Sequence, residues 1–207
     1  MEKIIVLGCG GHAKSIVDII EQQGVYEIAG FIANEESGSF TYRDYQILGG
    51  DALLPQIFLS GVHHAVVAVG YLGNSRVRDR LYEKLKVIGF LLPAIVDPST
   101  ILAMDIKIGE GSVIGKGAVI NSNAVIGSMA IINTRAIIEH DCVIEDYAHV
   151  SVGCVLCGNV LVKNHAFIGA GTNIIQGITV GENAIIGAGS TVISSVQPNS
   201  CVYGIVK

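Results

Sequence analysis

The sequence predicts two folds in series, a small α/β unit followed by a left-handed parallel β-helix, and three observations carry that prediction. From Val96 onward every sixth residue is aliphatic, through Leu102, Ile108 and Ile114 without a break to Val192. The residues before Val96 instead alternate short apolar runs with helical patterns, beginning at Lys3-Ile4-Ile5-Val6-Leu7-Gly8. Across the chain, 26 Gly stand against 6% aromatic residues, which demands many tight turns around a core of small aliphatics.

Composition bounds the function classes. The 207 residues suffice for one sizeable domain or two small ones, and with half of them hydrophobic and only 15% charged the chain is not disordered. Mean hydropathy is +0.55, yet no run approaches the roughly 18 apolar residues of a spanning helix. The start, Met1 to His12, breaks into glycines after a short apolar run, unlike a secretory signal, so a cytoplasmic location is expected. Thirteen Lys+Arg against 18 Asp+Glu, with no basic cluster, exclude a nucleic-acid backbone as the expected partner. Five Cys, an odd number with a single C-x-x-C from Cys154 to Cys157 and no second motif to pair with it, read as reduced thiols with no metal site.

Residues 1–95 read as a Rossmann-like unit. Strand 3–8 leads through Gly8-Cys9-Gly10-Gly11-His12-Ala13 into an amphipathic helix carrying Ile16, Val17, Ile19 and Ile20. A second strand, 27–32, precedes a polar loop over 34–44. A third, 65–70, passes through Tyr71 to Asn74 into a charged helix over 75–86. A strand over 90–95 then feeds the solenoid, with Pro93 and Pro98 bracketing the junction. Strands alternating with helices imply a parallel sheet whose ligand sits at the carboxyl ends of its strands. Gly8-x-Gly10-x-x-Ala13 meets the dinucleotide fingerprint formally, but this length supplies roughly one mononucleotide half, and Glu35 is the first acid after the second strand. A phosphate-bearing ligand other than a redox cofactor fits better, and a purely structural turn is the remaining reading. His12 either joins the phosphate site or caps the helix.

Residues 96–207 read as the solenoid. Four residues after each aliphatic stands a mostly small side chain, as at Ala118, Ala124, Ala130, Ala136, Cys142, Ala148 and Cys154, with Ile106, Val160, Ile178 and Val196 as bulkier exceptions. A period of six drifts around a helix of 3.6 residues per turn, whereas short strands separated by turns hold it. The aliphatic fills the coil, the small residue fits the corner, and Gly or Asn next to it tolerates left-handed backbone angles. Three hexads per coil set residues about 18 apart above one another and give roughly five to six coils. The residue before each aliphatic then faces out. One such column reads Ile101, Val119, Ile137, Val155, Asn173, Thr191, and another Val113, Ile131, His149, Phe167, Ile185. Columns this apolar predict burial between copies, most simply in a cyclic homotrimer.

With the interior filled, chemistry belongs on the outside. Polar residues interrupt the apolar faces over 133–142 and 146–151. His140 stands off the aliphatic register between Glu139 and Asp141, as a general base held by a neighbouring acid would, or as a turn histidine exposed to solvent. His149 lies in an apolar column, where it either serves a site at a subunit boundary or satisfies a backbone carbonyl. His165 and His63-His64 read as turn residues, and Cys142 and Cys154 as packing residues in the small inward slot. The readings of Cys9 and Cys157 stay open.

These residues resemble the bacterial hexapeptide sugar acyltransferases that carry an N-terminal nucleotide-sugar domain, the sialic acid O-acetyltransferase type, and are similar to the UDP-N-acetylbacillosamine N-acetyltransferases. The likeness spans essentially the whole chain. It is carried by Gly8-x-Gly10-Gly11-His12, by Asn133-Thr134 with Ile138-Glu139-His140-Asp141-Cys142-Val143-Ile144, and by His149-Val150-Ser151-Val152-Gly153 with Gly158-Asn159-Val160. The resemblance implies His140 as general base, Asp141 as the acid that orients it, His149 in contact with the reacting groups and Asn133 lining the site. It implies acetyl-CoA along the solenoid near Gly158, Ala170 and Ala188, and a nucleotide sugar against Gly8, Gly10, Gly11, His12 and the loop from Gly70 to Asn74. The sequence departs from the pattern at Asp141, where the bacillosamine enzymes have Glu. It departs again at Ala33-Asn34, where members often carry paired Asp, and at Val202 to Lys207, which lacks the usual G-V-P-A-K ending. The expected activity is transfer of acetyl from acetyl-CoA to an amino group of a UDP-4-amino sugar for surface glycan synthesis. O-acetylation of a sialic acid or related sugar, and a non-catalytic trimer that binds a nucleotide sugar, are the alternatives.

Overall fold

The computed structural model describes residues 1–33, 41–70 and 76–207. The chain divides into two compact units, one over Met1–Gly70 and Arg76–Ile95 and one over Val96–Lys207.

In the first unit the strands β1 (Glu2–Leu7), β2 (Tyr26–Ile32), β3 (Thr41–Tyr42), β4 (Tyr45–Gly49) and β5 (His64–Val67) form one layer in the order β3-β4-β2-β1-β5. Strand β1 runs parallel to its neighbours β2 and β5, and the central strand β2 parallel to β4. Ile4 to Leu7 and all of β5 are buried, the continuous apolar run of a strand covered on both faces. Helix α1 (Gly11–Gln23) buries Ala13, Ile16, Val17, Ile19 and Ile20, a stripe of helical period, and stops at Gly24, whose φ of 63 a side chain would resist. Helices α2 (Leu54–Leu59) and α3 (Val77–Ile88) complete the unit.

Three elements differ from the sequence reading. The hairpin of β3 and β4, closed through Arg43 and Asp44 at positive φ, begins within the stretch expected as a polar loop, and α2 was not expected at all. These elements are short and half-exposed, so no apolar period announces them. The strand expected over 90–95 is reduced to an isolated bridge between Leu91 and His64, and pairing resumes only at Ile95–Val96. Pro93, which has no N–H to donate, interrupts it. Asn34, Glu35 and Asn74 lie outside the described residues.

The second unit is a left-handed parallel β-helix of two-residue strands. One sheet stacks Ile101–Leu102, Val119–Ile120, Ile137–Ile138, Val155–Leu156, Asn173–Ile174, Thr191–Val192 and Ile205–Val206. A second stacks Lys107–Ile108 through Thr179–Val180, and a third Ile95–Val96 through Cys201–Val202. We refer to them as the first, second and third faces. The in-facing aliphatics from Ile114 to Val192 are essentially inaccessible, as are the small residues Ala118, Ala136, Cys142 and Cys154 beside them. Hydroxyls in that slot are satisfied locally: Ser112 Oγ donates to the Gly127 carbonyl at 2.6 Å and Ser190 Oγ to the Gly187 carbonyl at 2.7 Å. The spacing tightens at the last rungs, where Ile185 pairs with Cys201 and Thr191 with Ile205.

Two expectations about the outer surface need revision. Left-handed corners are not reserved for Gly and Asn, since Met129, Arg135, Asp141, Tyr147 and His165 also adopt positive φ. Stacking between coils imposes the angle on whatever residue the register delivers. The column Val113, Ile131, His149 is already buried within one chain, whereas Ile101, at the head of the other column, is 66% exposed. Among the described residues no helix is long and apolar enough to cross a membrane.

Candidate active site

The repeat decides what surrounds His140. It follows the strand Ile137–Ile138 at the corner between the first and second faces, so its side chain leaves the core and its loss opens no cavity there. Asp141 is next, in the left-handed conformation with φ 60, an angle that Asp and Asn tolerate better than longer residues. Its Oδ2 lies 2.8 Å from His140 Nδ1, and its Oδ1 accepts a hydrogen bond of 2.7 Å from Asn123 Nδ2, one coil earlier. The amide of Asn123, and after it the imidazole, hold the Asp141 carboxyl below its ordinary pKa. An ionised carboxylate only accepts, so His140 donates from Nδ1 and its lone pair sits on Nε2. Of the two flanking acids, Asp141 is the one in contact with the ring.

Gly158 stands one coil after His140. A Cβ there would lie 2.6 Å from both Cε1 and Nε2 of the imidazole and 3.2 Å from Cδ2, so the ring lies across this glycine. The residue expected beside acetyl-CoA is thus first the seat of His140. Ala170 and Ala188 occupy equivalent places on successive coils at the corner after the third face, away from the corner that holds Gly158. The structure groups those two and separates them from the third.

His149 belongs to the third face, nine residues and about half a coil from His140, so one chain does not bring the two histidines to one corner. It is buried between Ile131 and Phe167, with its ring edge-on to Phe167 at 5.2 Å. Asn133 comes near it: Oδ1 accepts from the Thr134 N–H at 2.8 Å, which turns Nδ2 toward His149 Nε2 at 3.5 Å. Of the other histidines, His165 does sit at a left-handed corner, but buried and stacked on Tyr147 at 4.8 Å. His64 is no turn residue; it opens β5, buried, with Glu2 at 3.5 Å. Burial pushes the Cys142 and Cys154 thiols up, which keeps them protonated and inert. Among the described residues no cluster of His, Cys, Asp and Glu could hold a metal ion.

A separate cavity of about 470 Å³ opens in the first unit where β1 and β2 end. Leu7, Gly8, Cys9, Ile32 and Ala33 line it from the sheet, Val69 from the segment after β5, and Asp51 with Arg80 and Lys84 from the opposite wall. Gly8 is fixed by the fold, since its φ is +104 and a Cβ would meet Val69 Cγ2 at 3.0 Å. Gly10 and Gly11 are different: a Cβ on either meets nothing within 4 Å, so the start of α1 is open to a ligand. His12 is on the first turn of α1, and a Cβ on Gly70 would stand 3.9 Å from its Cβ, so these two expected residues are neighbours. Arg80, Lys84 and Asp51 were not anticipated. The signal available for the first two was a basic pair four apart, on one face of the helix that follows the third predicted strand.

Residues 3–85 match the PglD N-terminal domain family, and residues 159–194 the bacterial transferase hexapeptide family of six repeats. Among solved structures, the chain is similar to PerB from Caulobacter crescentus in complex with CoA and GDP-perosamine, at 30% identity and a TM-score of 0.92, over 99% of this chain and 95% of that one. It is similar also to the acetyltransferase domain of PglB from Neisseria gonorrhoeae in complex with acetyl coenzyme A, at 28% identity and a TM-score of 0.88, covering 98% and 96% of the two chains. WeeI from Acinetobacter baumannii matches at 28% identity and a TM-score of 0.85, over 99% and 97%.

Proposed function

This chain belongs to the hexapeptide-repeat bacterial sugar N-acetyltransferases with a PglD N-terminal domain, and we propose that it moves acetyl from acetyl-CoA to the amino group of a nucleotide-linked amino sugar, with His140 as general base. The observation that carries the base assignment is the 2.8 Å contact between Asp141 Oδ2 and His140 Nδ1, which leaves the lone pair on Nε2. As the sugar nitrogen attacks the thioester carbonyl, a C–N bond forms and one N–H proton passes to Nε2. The C–S bond then breaks, the CoA thiolate leaves and takes up that proton, and amide and CoA thiol are the products. Asp141 stabilises the transient imidazolium and keeps the ring from turning. We assign acetyl-CoA to the corner that carries Ala170 and Ala188, and the acceptor's phosphates to the open start of α1 at Gly10 and Gly11, which follows directly on Gly8 and Cys9 of the cavity lined by Arg80 and Lys84. A UDP-4-amino sugar is the acceptor proposed, in surface glycan assembly; perosamine, the sugar in the PerB complex, makes GDP-linked acceptors the first comparison.

The working form proposed is a homotrimer. Its support is the separation of His140 and His149 on one chain and the exposure of Ile101 at the head of an apolar column. In a trimer the corner of one copy faces the neighbouring copy, and the two histidines can share a site.

The test pairs an acceptor screen with one variant. UDP-, GDP- and CMP-linked sugars with amino or hydroxyl acceptors are incubated with acetyl-CoA, and CoA release is followed. Release with amino sugars alone is the expected result; release with hydroxyl acceptors alone would make this an O-acetyltransferase. His140→Ala should lower kcat by roughly 10² to 10⁴ and leave acetyl-CoA binding intact. Near-native turnover by that variant would remove His140 from the base role. Sedimentation should give three times the chain mass, and a monomer at assay concentration would end the shared-site reading.

A further inference from the structure

The hydrogen bond to Asp141 from the preceding coil is not needed to build the corner. The backbone there is already held, with the Asp141 N–H donating to the Ser122 carbonyl at 3.0 Å and the Asn159 N–H to the His140 carbonyl at 2.9 Å. What remains loose is the carboxylate itself, since Asp141 is 50% exposed and His140 62% exposed, and nothing in the core restrains either side chain. Asn123 supplies that restraint. It lies 18 residues earlier, with φ 60 as at Asp141, so the two side chains leave the corner in parallel. The split is complete: Oδ1 takes the amide of Asn123 at 2.7 Å and Oδ2 takes the imidazole at 2.8 Å.

We propose that Asn123 is a positioning residue for the acetyl transfer, fixing the rotation of the Asp141 carboxylate so that Oδ2 stays on His140 Nδ1 and Nε2 stays available as base. This rests on the reading of His140 as base. A carboxylate anchored at one oxygen presents the other in one direction, whereas an unanchored one rotates and releases the ring. The anchor bears directly on the departure at this position. Aspartate is one methylene shorter than glutamate and has less reach to follow a moving imidazole, so a fixed partner on the coil below takes over that task.

The experiment compares Asn123→Gly and Asn123→Asp with His140→Ala and Asp141→Ala in the trimeric or native-state enzyme. Glycine keeps the left-handed backbone without strain and removes only the amide, so it isolates the side chain. The expected result is a fall in kcat of about tenfold with both KM values unchanged, and a rise of the Asp141 carboxyl pKa toward its ordinary value by carbon-detected NMR titration. Asn123→Asp keeps the shape but sets a like charge against Asp141, and should cost more turnover at neutral pH than the glycine variant does. In the Asp141→Ala background, removing the Asn123 amide should cost nothing further, because its effect passes through that carboxylate. Unchanged kcat in folded Asn123→Gly, or a full additional loss in the Asp141→Ala background, would overturn the proposal. If His140→Ala also keeps its turnover, the base reading has failed and this proposal with it. If His140→Ala loses turnover while Asn123→Gly does not, only the positioning role falls. Should the glycine variant misfold, the Asn123→Asp comparison decides on its own, with native turnover overturning the role.

Discussion

The two units assemble their polar groups by opposite routes. In the β-helix a residue's neighbours above and below follow from its number, as Asn123, Asp141 and Asn159 or His140 and Gly158 show. In the α/β unit the cavity draws Gly8 from the end of β1, Ala33 from the end of β2, Asp51 from a connection and Arg80 with Lys84 from α3, positions related by no fixed interval. A repeat therefore exposes function as a breach of its own rule, while an aperiodic sheet hides it among residues that look like ordinary surface.

That contrast breaks first at Gly158. If register alone sets the seat of the imidazole, Gly158→Ala leaves the fold intact, because the ring is an exposed side-chain end that can yield. Turnover should then fall by 10² or more, approaching the loss of the base itself, as measured by steady-state kcat beside a circular dichroism spectrum. Ile144 probes the interior of the same rule. It is fully buried and stacked between Ile126 and Val162, so Ile144→Ala should cost about 2–5 kcal/mol in denaturant unfolding without moving either KM. The aperiodic unit yields the smallest effect: Arg80→Ala or Lys84→Ala should raise the KM for the nucleotide sugar about tenfold and leave that for acetyl-CoA unchanged. A matching rise for acetyl-CoA would mean that the cavity serves the donor instead.

The same contrast explains what the sequence disclosed. The hexads announced the β-helix, its inward residues and the small slots of Cys142 and Cys154, because period, burial and identity coincide at every rung. His140 and Asp141 were legible as residues off that register, but adjacency alone left Glu139 and Asp141 as equal partners for the ring, and the contact to Asp141 emerged only with the structure. The seat at Gly158 and the anchor at Asn123 were available in principle, since each is one coil away, but glycine and asparagine are also the ordinary residues of a corner. In the α/β unit, β1, α1 and β2 carried clear apolar patterns, whereas β3, β4 and α2 bury too little to show one. Arg80 and Lys84 stayed hidden because a helix face of basic residues reads equally well as solvated surface.

The interval between stacked rungs also governs how the chain can reach this structure. Throughout most of the β-helix each strand pairs with one a single coil away, as Val119 pairs with Ile137, so every new coil closes only a short loop onto one already formed. In the α/β unit β1 meets β2 over a comparable interval, Ile4 pairing with Ile28, but it must find the edge strand β5 across a far longer stretch, Ile4 pairing with His64. The loop-closure term grows with the logarithm of length, and this difference is worth about 1 kcal/mol against the β1–β5 contact. Coils can nucleate anywhere and extend to neighbours one at a time, as in other solenoids. The addition of β5 to β1 has no such stepwise route, which makes it the expected slow event in refolding.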